Sequence, residues 1–248
     1  MVKSTKGGGA TGGTATGGGG RRGLTVRVKT AKGRKIASTR WLQRQLNDPY
    51  VDEAKRQGYR SRAAFKLIEI DDKYHLLTPG KIVIDLGAAP GGWSQVAAAR
   101  VKSAGGKGRV IAADLNEIKP VPGVDFMVLD VTDADAGEKI RAALVGAPGG
   151  KHADVVMSDM AASSIGHRST DHLRVIGLAE AALDIAEDAL NLGGAYLAKV
   201  LQGGAGQDLV TRLRQGFTKV AHVKPKASRA DSSEVYVLAT GFRGAPSD

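Results

Sequence analysis

Short apolar runs alternate with segments of helical periodicity along most of the chain. The apolar runs predict strands at 82–86, 109–113, 125–129, 154–158, 195–201, 218–223 and 234–240. The periodic segments predict helices at 61–74, 95–102, 135–145, 171–191 and 208–215, after a helical stretch at 41–57 that Pro49 interrupts. This alternation predicts an α/β fold with a parallel sheet and helices on both faces. No helical pattern separates the last two strands, so we expect them to pair antiparallel.

Particular residues mark two helix ends. Ser61 is expected to cap the N-terminus of helix 61–74, because a serine hydroxyl accepts hydrogen bonds from the first free backbone N–H groups. Gly193 and Gly194 are expected to end the helix at 171–191, because glycine is a poor helix former. The apolar face of that helix is expected to hold Ile176, Ala179, Leu183, Ala186 and Leu190.

The first 40 residues differ in composition from the remainder of the chain. They hold ten of the 36 Lys and Arg residues and no acid, whereas the other 208 residues hold 26 basic and 25 acidic side chains. A basic, Gly-rich segment with few apolar residues cannot bury enough surface to offset its ordering entropy. We therefore predict a disordered arm at 1–37 that binds nucleic-acid phosphates, followed by a single domain at 38–248. The alternatives are a solvated tail and a transit peptide, although the glycine runs disfavour the amphipathic helix of the latter.

The composition also excludes several classes of site. The sequence has no cysteine, which excludes disulfide scaffolds, cysteine nucleophiles and iron–sulfur clusters and fits a reducing, cytoplasmic location. The five histidines show no metal-ligand spacing, so we predict no metal site. No apolar run approaches the roughly 18 residues that a membrane helix needs, so we expect no membrane partner. We expect a monomer.

Acidic residues lie at or next to the ends of the first four predicted strands. They are Asp85, Asp114, Asp130 and Asp159. Ligands of open α/β sheets bind outside the carboxyl ends of the strands, so these carboxylates predict a site for a polar or cationic ligand. Asp114 has the spacing of an acid that binds ribose hydroxyls, and Asp130 is placed to accept the amino group of an adenine.

The turn after the first strand, residues 85–93, is rich in glycine. Glycines allow the backbone to approach a ligand closely and leave N–H groups exposed. The turn contains neither GxGxxG nor the phosphate-binding GxxxxGK[ST] pattern, which disfavours a nicotinamide oxidoreductase. Together with the strand-end acids, it predicts a site for a nucleoside-type cofactor.

Lys199 lies in an otherwise apolar strand. Burial of an unpaired ammonium is costly, so such a lysine is paired, reaches solvent or has a shifted pKa. It is therefore either an edge-strand lysine that reaches solvent or a base whose pKa is lowered by desolvation. Glu234 opens the last strand and, if that strand is antiparallel, faces Lys199 at the carboxyl edge of the sheet. Lys66, on the preceding helix, is within reach of the same edge.

Several motifs together resemble the FtsJ-type ribose 2′-O-methyltransferases. They are SRAAFKL (61–67), DLGAAPGGWSQ (85–95), SDMA (158–161), AKVLQG (198–203) and SSEVY (232–236), in the family's order. The resemblance covers about 38–241 and implies the Rossmann-like fold of S-adenosyl-L-methionine-dependent methyltransferases, a seven-stranded, mostly parallel sheet with the last strand antiparallel. Two positions depart from the pattern, since the ribosomal-RNA enzymes tend to carry Trp in place of Ala64 and the family often has Pro in place of Ala162. These departures concern loop shape and leave the reaction intact.

The same resemblance implies the residues of the site. The family's catalytic tetrad falls on Lys66, Asp159, Lys199 and Glu234. The residues that bind the cofactor, S-adenosyl-L-methionine, fall on Gly91, Trp93, Asp114, Asp130 and Asp159. Asp114 and Asp130 are also the acids that the strand-end argument assigns to the ligand.

The segments at 40–43 and 60–62 look most like the bacterial members of the family. This implies, as substrate, a uridine in the A-loop of 23S rRNA of the large ribosomal subunit. The side chains expected to hold RNA phosphates are those of Arg60, Arg62, Lys224, Lys226 and Arg229. The alternatives are the same reaction on tRNA or an mRNA cap, a small-molecule methyltransferase, and a non-catalytic RNA-binding ribosome-assembly factor. The presence of all four tetrad residues disfavours the last.

Overall fold

The computed structural model describes residues 36–145, 152–162, 165–203 and 206–244. Residues 1–35 of the predicted arm lie outside the described residues. By its internal contacts the chain divides into two compact units, 1–47 and 48–248. The first unit contains helix α1 (Ile36–Leu46), and the second contains the sheet and the other described helices.

A seven-stranded sheet forms the centre of the second unit. Its strands are β1 (Ile82–Leu86), β2 (Arg109–Asp114), β3 (Val124–Val128), β4 (Ala153–Ser158), β5 (Leu190–Leu201), β6 (Phe217–Val223) and β7 (Glu234–Phe242). Their order is β3-β2-β1-β4-β5-β7-β6, and neighbouring strands are parallel except that β7 is antiparallel to both β5 and β6. The predicted fold class is confirmed.

Six α-helices surround this sheet in the described part of the second unit. They are α2 (Pro49–Gln57), α3 (Ala63–Tyr74), α4 (Gly92–Val101), α5 (Ala136–Leu144), α6 (Arg168–Ala189) and α7 (Gln207–Gly216). The predicted interruption at Pro49 is confirmed: one helix ends at Leu46 and Pro49 begins α2, where a first-turn proline leaves no hydrogen bond unmade. None of the described helices is long and apolar enough to cross a membrane.

Apolar side chains cover both faces of the sheet. On one face Ile84 and Ile111 pack with residues of α5, α6 and α7, and on the other Val83 and Val110 pack with residues of α3 and α4. All five residues of β1 are buried, as expected for a central parallel strand covered on both sides. The predicted apolar face of α6 belongs to the first of these clusters. Because both faces are covered, ligands reach the sheet at its strand ends.

The predicted cap at Ser61 is wrong. Helix α3 begins at Ala63 after Arg62, and no side chain caps it. The hydroxyl of Ser61 lies against Gly92, where a β-carbon would collide with it. Ser61 therefore packs against the start of α4 and not against its own helix.

The predicted helix stop at Gly193 and Gly194 is also wrong. Helix α6 ends at Ala189 and β5 begins at the next residue, so both glycines lie in the strand. The register between β4 and β5 shifts between Leu190 and Ala195, and Gly193 has a φ of +83°. The glycines therefore accommodate a bulge, while the buried side chain of Leu190 fixes the start of the strand in the core.

Candidate active site

Three of the four strand-end aspartates meet at one cavity. This cavity of about 300 Å³ is lined by Asp114, Asp130 and Asp159, together with residues of the loop after β1 and the segment after β4. It lies at the carboxyl ends of the parallel strands, where the sequence predicts a ligand. We call it the cofactor cavity.

The loop after β1 approaches the cofactor cavity closely. Gly87 has a φ of +77°, and a β-carbon there would collide with the side chain of Met160, so the position requires glycine. The Ala89 N–H donates a 2.9 Å hydrogen bond to Oδ2 of Asp114. The carboxylate of Asp114 thus ties the loop after β1 to the end of β2.

Two of the cavity acids are oriented by their own loops. The Asn116 N–H donates to Oδ1 of Asp114 at 2.8 Å, and the Thr132 N–H and hydroxyl donate to Oδ1 of Asp130 at 2.9 and 2.6 Å. The bonds from Thr132, that of the hydroxyl above all, lower the pKa of Asp130. Asp130 is therefore an anionic acceptor at neutral pH.

Two lysines and two acids form a charged cluster beside the cofactor cavity. Lys199 Nζ lies 3.1 Å from Oδ1 of Asp159 and donates to the carbonyl oxygen of the same residue at 2.7 Å. Lys66 Nζ lies 3.1 Å from Oε2 of Glu234 and 3.8 Å from Oδ1 of Asp159. Lys66 is only 5% exposed and Lys199 only 7%. Their burial is tolerated because carboxylates face both ammonium groups.

The strand pairing explains how this cluster forms. β7 runs antiparallel to β5, so its first residue, Glu234, pairs with Leu201 at the carboxyl end of β5. Two residues further along β7, Tyr236 pairs with Lys199. The predicted pairing thus brings Glu234 to the same edge as Lys199, while α3 supplies Lys66 from its buried side.

A second cavity, of about 360 Å³, is lined by two members of the charged cluster, Lys199 and Glu234. It is lined by Ala161, Ala162, Gly166, Asp171, Val175, Lys199, Leu201, Ser233 and Glu234. Ala161 also lines the cofactor cavity, and Asp159 of that cavity lies 3.1 Å from Lys199, so the two spaces are adjacent. We call this second space the acceptor cleft.

Comparison with known sequences identifies the family. The sequence pattern of the FtsJ-like methyltransferase family matches residues 59–242, about three quarters of the chain. The chain belongs to this family. It is therefore a methyltransferase, and the resemblance deduced from its motifs is confirmed.

Individual relatives of this FtsJ-like methyltransferase match over nearly their whole length. A protein of Nitrobacter hamburgensis named ribosomal RNA large subunit methyltransferase E is 59% identical over 223 residues, which cover 90% of this chain and 96% of the relative. A protein of Ruegeria pomeroyi with the same name is 58% identical over 230 residues, with coverages of 91% and 97%. A solved structure from Plasmodium falciparum, described as a ribosomal RNA methyltransferase, has a TM-score of 0.65 and 32% identity. It covers 75% of this chain and 100% of that chain.

Tyr236 belongs to the charged cluster of this FtsJ-like methyltransferase, although sequence reasoning did not single it out. Its hydroxyl donates a 2.6 Å hydrogen bond to Oδ1 of Asp159, and Lys66 Nζ lies 5.6 Å from the centre of its ring. Burial raises the pKa of Tyr236 well above its ordinary value, so the hydroxyl remains a donor. The available signal was its spacing, since residues two apart on a strand share a face and Glu234 was already assigned.

Gly91 and Trp93, which the resemblance assigns to the cofactor, are not among the described residues that line the cofactor cavity. Gly91 has a φ of +105° and precedes the first turn of α4. The indole of Trp93 is buried, donates to the carbonyl of Ala63 at 2.8 Å and packs against the ring of Tyr236. Trp93 therefore stabilises the charged cluster by packing against Tyr236. The roles of Gly91 and Trp93 in cofactor binding stay predictions.

Asp85, the fourth of the strand-end acids, lies inside the sheet. It is the fourth of the five residues of β1 and only 1% exposed, and the Ser94 hydroxyl donates to its Oδ2 at 2.6 Å. Burial raises the pKa of Asp85 to about 7. It holds the first turn of α4 against β1 and does not reach the cofactor cavity.

Arg60, which the sequence predicts at RNA phosphates, links the loops around the cofactor cavity. Its guanidinium donates to the carbonyl oxygens of Pro90, Lys119 and Pro120. Pro90 lies in the loop after β1, and Lys119 and Pro120 lie in the loop after β2. One side chain thus links two loops whose residues line the cavity.

Arg62 and Arg229 are also bound within the protein. Both lie near Oδ2 of the buried Asp48, at 2.9 and 3.0 Å, and Arg62 further donates to the carbonyl of Ala227. Lys224 donates to the carbonyl of Ser232 at 2.9 Å. These contacts join α2 and α3 to the segment between β6 and β7 and leave these side chains less suited to RNA phosphates than the sequence suggests.

In the part of the chain that the structure describes, no group of three or more His, Cys, Asp or Glu could hold a metal ion. The absence of a metal from the reaction stays a prediction.

Proposed function

We propose that this methyltransferase transfers a methyl group from S-adenosyl-L-methionine to the ribose 2′-OH of a uridine in the A-loop of 23S rRNA, in the large ribosomal subunit. The observation that carries the proposal is that one charged cluster contributes Asp159 to the cofactor cavity and Lys199 and Glu234 to the acceptor cleft, with Lys66 near both acids. The shared name of the relatives, ribosomal RNA large subunit methyltransferase E, supports the choice of RNA.

The residues of the cofactor cavity fit S-adenosyl-L-methionine chemically. The molecule carries a ribose diol and an adenine amino group, which donate hydrogen bonds, and an ammonium and a sulfonium, which are cationic. Asp114 suits the diol, Asp130 the amino group and Asp159 the cationic end, since each carboxylate lines the cavity. When bound there, the molecule supplies an activated methyl group.

Lys199 is the proposed base. Its side chain lines the acceptor cleft, and its Nζ lies 3.1 Å from Asp159, which lines the cofactor cavity. A ribose 2′-OH in the cleft would therefore meet Nζ while its oxygen faces the cofactor cavity. With Lys199 in its amine form, the hydroxyl proton would pass to Nζ while the bond between the ribose oxygen and the methyl group forms and the bond between methyl and sulfur breaks, which would leave S-adenosyl-L-homocysteine.

The other three members of the cluster position and balance this base. Lys66 provides a second cation that favours the negative charge developing on the ribose oxygen. Asp159 and Glu234 lie 3.1 Å from Nζ of Lys199 and of Lys66 respectively, so they orient both lysines and offset positive charge in a buried site. Most of the catalysis is expected to come from alignment, because the methyl donor is already reactive.

The direct test is methyl transfer from labelled S-adenosyl-L-methionine to purified large ribosomal subunits that lack the A-loop methyl group, with nuclease mapping of the label. We expect label on the ribose of the A-loop uridine. Label on tRNA, with none on subunits or free 23S rRNA, would keep the reaction and change the substrate. No label on any RNA, despite cofactor binding, would favour a non-catalytic assembly factor.

The segment at 1–37 is proposed to add phosphate contacts to the RNA substrate of a cytoplasmic, monomeric enzyme. Its support is the concentration of ten basic residues and no acid in residues 1–40. Deletion of 1–37 should weaken RNA binding and its salt dependence while leaving cofactor binding intact. Unchanged activity on RNA after this deletion would show that residues 1–37 do not contribute to RNA binding in the reaction.

A further inference from the structure

A groove continues from the acceptor cleft and is not used by the proposed reaction. Two cavities of about 780 and 590 Å³ form it, and we define this outer groove by Gly166, His172, Gln202, Gly203, Arg214 and His222. Gly166 also lines the acceptor cleft, and both cavities share Gln202 and Gly203. The outer groove therefore runs from the cleft, past the carboxyl end of β5, to helix α7.

The lining of the outer groove suits an extended polymer ligand that carries negative charge and flat apolar groups. No aspartate or glutamate is among the described residues that line its two cavities, whereas Arg214, His172 and His222 are. Under α7 the floor is apolar and includes Val200 and Val235. The cation of Arg214 and the apolar part of the lining are the two kinds of group with which proteins hold single-stranded nucleic acid.

Exposed apolar side chains border the same path. Ile165 and Leu173 are each 61% exposed; Leu173 lines the outer groove, and Ile165 directly precedes Gly166, which lines both the groove and the acceptor cleft. Large exposed apolar residues near a cleft are a common mark of a binding surface. Leu173 itself lines the groove, so a base leaving the cleft meets an apolar surface at once.

The arginines nearer the cofactor cavity are already bound to other groups of the protein. Arg60 donates to three backbone carbonyls, and Arg62 and Arg229 pair with Asp48. Arg214, by contrast, is exposed on the last turn of α7 and lines the outer groove. Among these arginines, Arg214 is best placed to meet a phosphate that has left the acceptor cleft.

We propose that the outer groove holds the single-stranded RNA on one side of the methylated ribose, with a phosphate at Arg214 and a base on the apolar floor. This inference rests on the proposed function, because a 2′-OH within an RNA chain brings neighbouring nucleotides that must leave the cleft over the protein surface. Sequence-specific enzymes take such nucleotides unstacked from loops. Both cavities fall in the range of about 300–1,000 Å³ that is typical of ligand-binding pockets.

Three variants test the groove in equilibrium binding, which needs no turnover. Arg214→Ala removes its cation, Thr211→Trp fills its α7 end, and Lys219→Ala removes a cation from an exposed position outside the lining. The probe is a labelled RNA hairpin with the A-loop sequence, titrated at several salt concentrations. Arg214→Ala should weaken binding several-fold and reduce the slope of log Kd against log salt by about one, the value for one phosphate contact. Thr211→Trp should weaken binding as well, whereas Lys219→Ala should match the wild type.

A crosslink identifies the occupant. Hairpins with 4-thiouridine beside the target uridine should crosslink to peptides of the outer groove, and Thr211→Trp should abolish this product. Wild-type binding and salt slope in both groove variants would overturn the proposal, as would crosslinks confined to other surfaces. If the groove crosslinks to a ribosomal protein in whole subunits, and the variants leave hairpin binding unaffected, the occupant of the groove is a protein and the proposal of bound RNA is overturned. If the wild type binds the hairpin through Arg214 but transfers no methyl group, the groove stands and the proposed function fails.

Discussion

The hydroxyl of Tyr236 donates a 2.6 Å hydrogen bond to Oδ1 of Asp159, the same oxygen that lies 3.1 Å from Lys199 Nζ. Tyr236 and Lys199 are partners across the β5–β7 pair, so the sheet fixes both donors. Lys66 approaches the same oxygen at 3.8 Å from α3. The carboxylate of Asp159, which follows the last residue of β4, is thus held from two sides of the site.

Tyr236→Phe should lower kcat more than it raises KM for either substrate. The lost hydrogen bond to a charged group is worth about 1.5–3 kcal/mol, so a loss felt wholly in the transition state gives a decrease of about 10- to 100-fold. The fold should persist because the ring still packs against Trp93. Tyr196→Phe is the matched control, since that buried hydroxyl donates to Ala179 on the other face of the sheet. Steady-state methyl-transfer kinetics on both variants decide the matter, and wild-type kcat in Tyr236→Phe would contradict it.

The variant Lys199→Arg tests whether Lys199 acts as a base or only as a structural cation. Arginine keeps the positive charge beside Asp159 but does not lose its proton in proteins, so it cannot accept the proton of the ribose hydroxyl. We expect turnover to be abolished while the affinity for S-adenosyl-L-methionine, measured by calorimetry, changes little. Lys66→Arg, also facing carboxylates, should retain part of the activity because its proposed role needs only charge. Equal activity in the two variants would remove Lys199 as the base.

The sheet and the identity of its edge acids could be predicted because they depend on local patterns. Alternating apolar runs gave the strands, and the carboxyl-end rule placed Asp114, Asp130 and Asp159 at one cavity. Asp85 resembled them in sequence but lies one residue before the end of β1, and its side chain is buried in the sheet. A shift of one residue relative to a strand end decides whether a side chain lies in the site or in the core. Sequence patterns do not predict strand ends to within one residue.

Contacts between distant segments could not be predicted. The sequence marks Arg60, Arg62 and Arg229 as cations, but whether a cation faces solvent depends on backbone carbonyls and acids brought near by folding. Asp48 lies 181 residues from Arg229, and only the packing of α2 against the β6–β7 connection joins them. The place of Tyr236 depended likewise on the register between β5 and β7. Such pairings follow from tertiary structure and leave no local pattern.

Asp85→Asn should change how stability depends on pH. The pKa of Asp85 is about 7 in the folded protein against an ordinary value of 3.8, so the folded state holds the proton more tightly. The wild type should therefore lose stability as pH rises from about 4 to about 7, on the order of a few kcal/mol in total. Asparagine does not titrate, so the stability of Asp85→Asn relative to wild type should rise through that window and level off above it. Urea unfolding at pH 5, 6, 7 and 8 measures this, with the exposed Asp208→Asn as control. A difference that is constant with pH would show that Asp85 is ionised throughout.

Arg60→Lys distinguishes a brace of the cofactor cavity from a contact to RNA. Lysine keeps the charge but lacks the planar fork with which Arg60 reaches carbonyls of both the β1 and β2 loops. The loops should then be held less firmly, so the affinity for S-adenosyl-L-methionine should fall several-fold while kcat at saturating cofactor stays near that of the wild type. Salt dependence of RNA binding should be unchanged, because no phosphate contact is lost. Arg56→Lys, an exposed arginine paired with Glu53 on α2, is the control. The opposite result, intact cofactor affinity with weaker RNA binding, would show that Arg60 contacts RNA and does not hold the loops of the cofactor cavity.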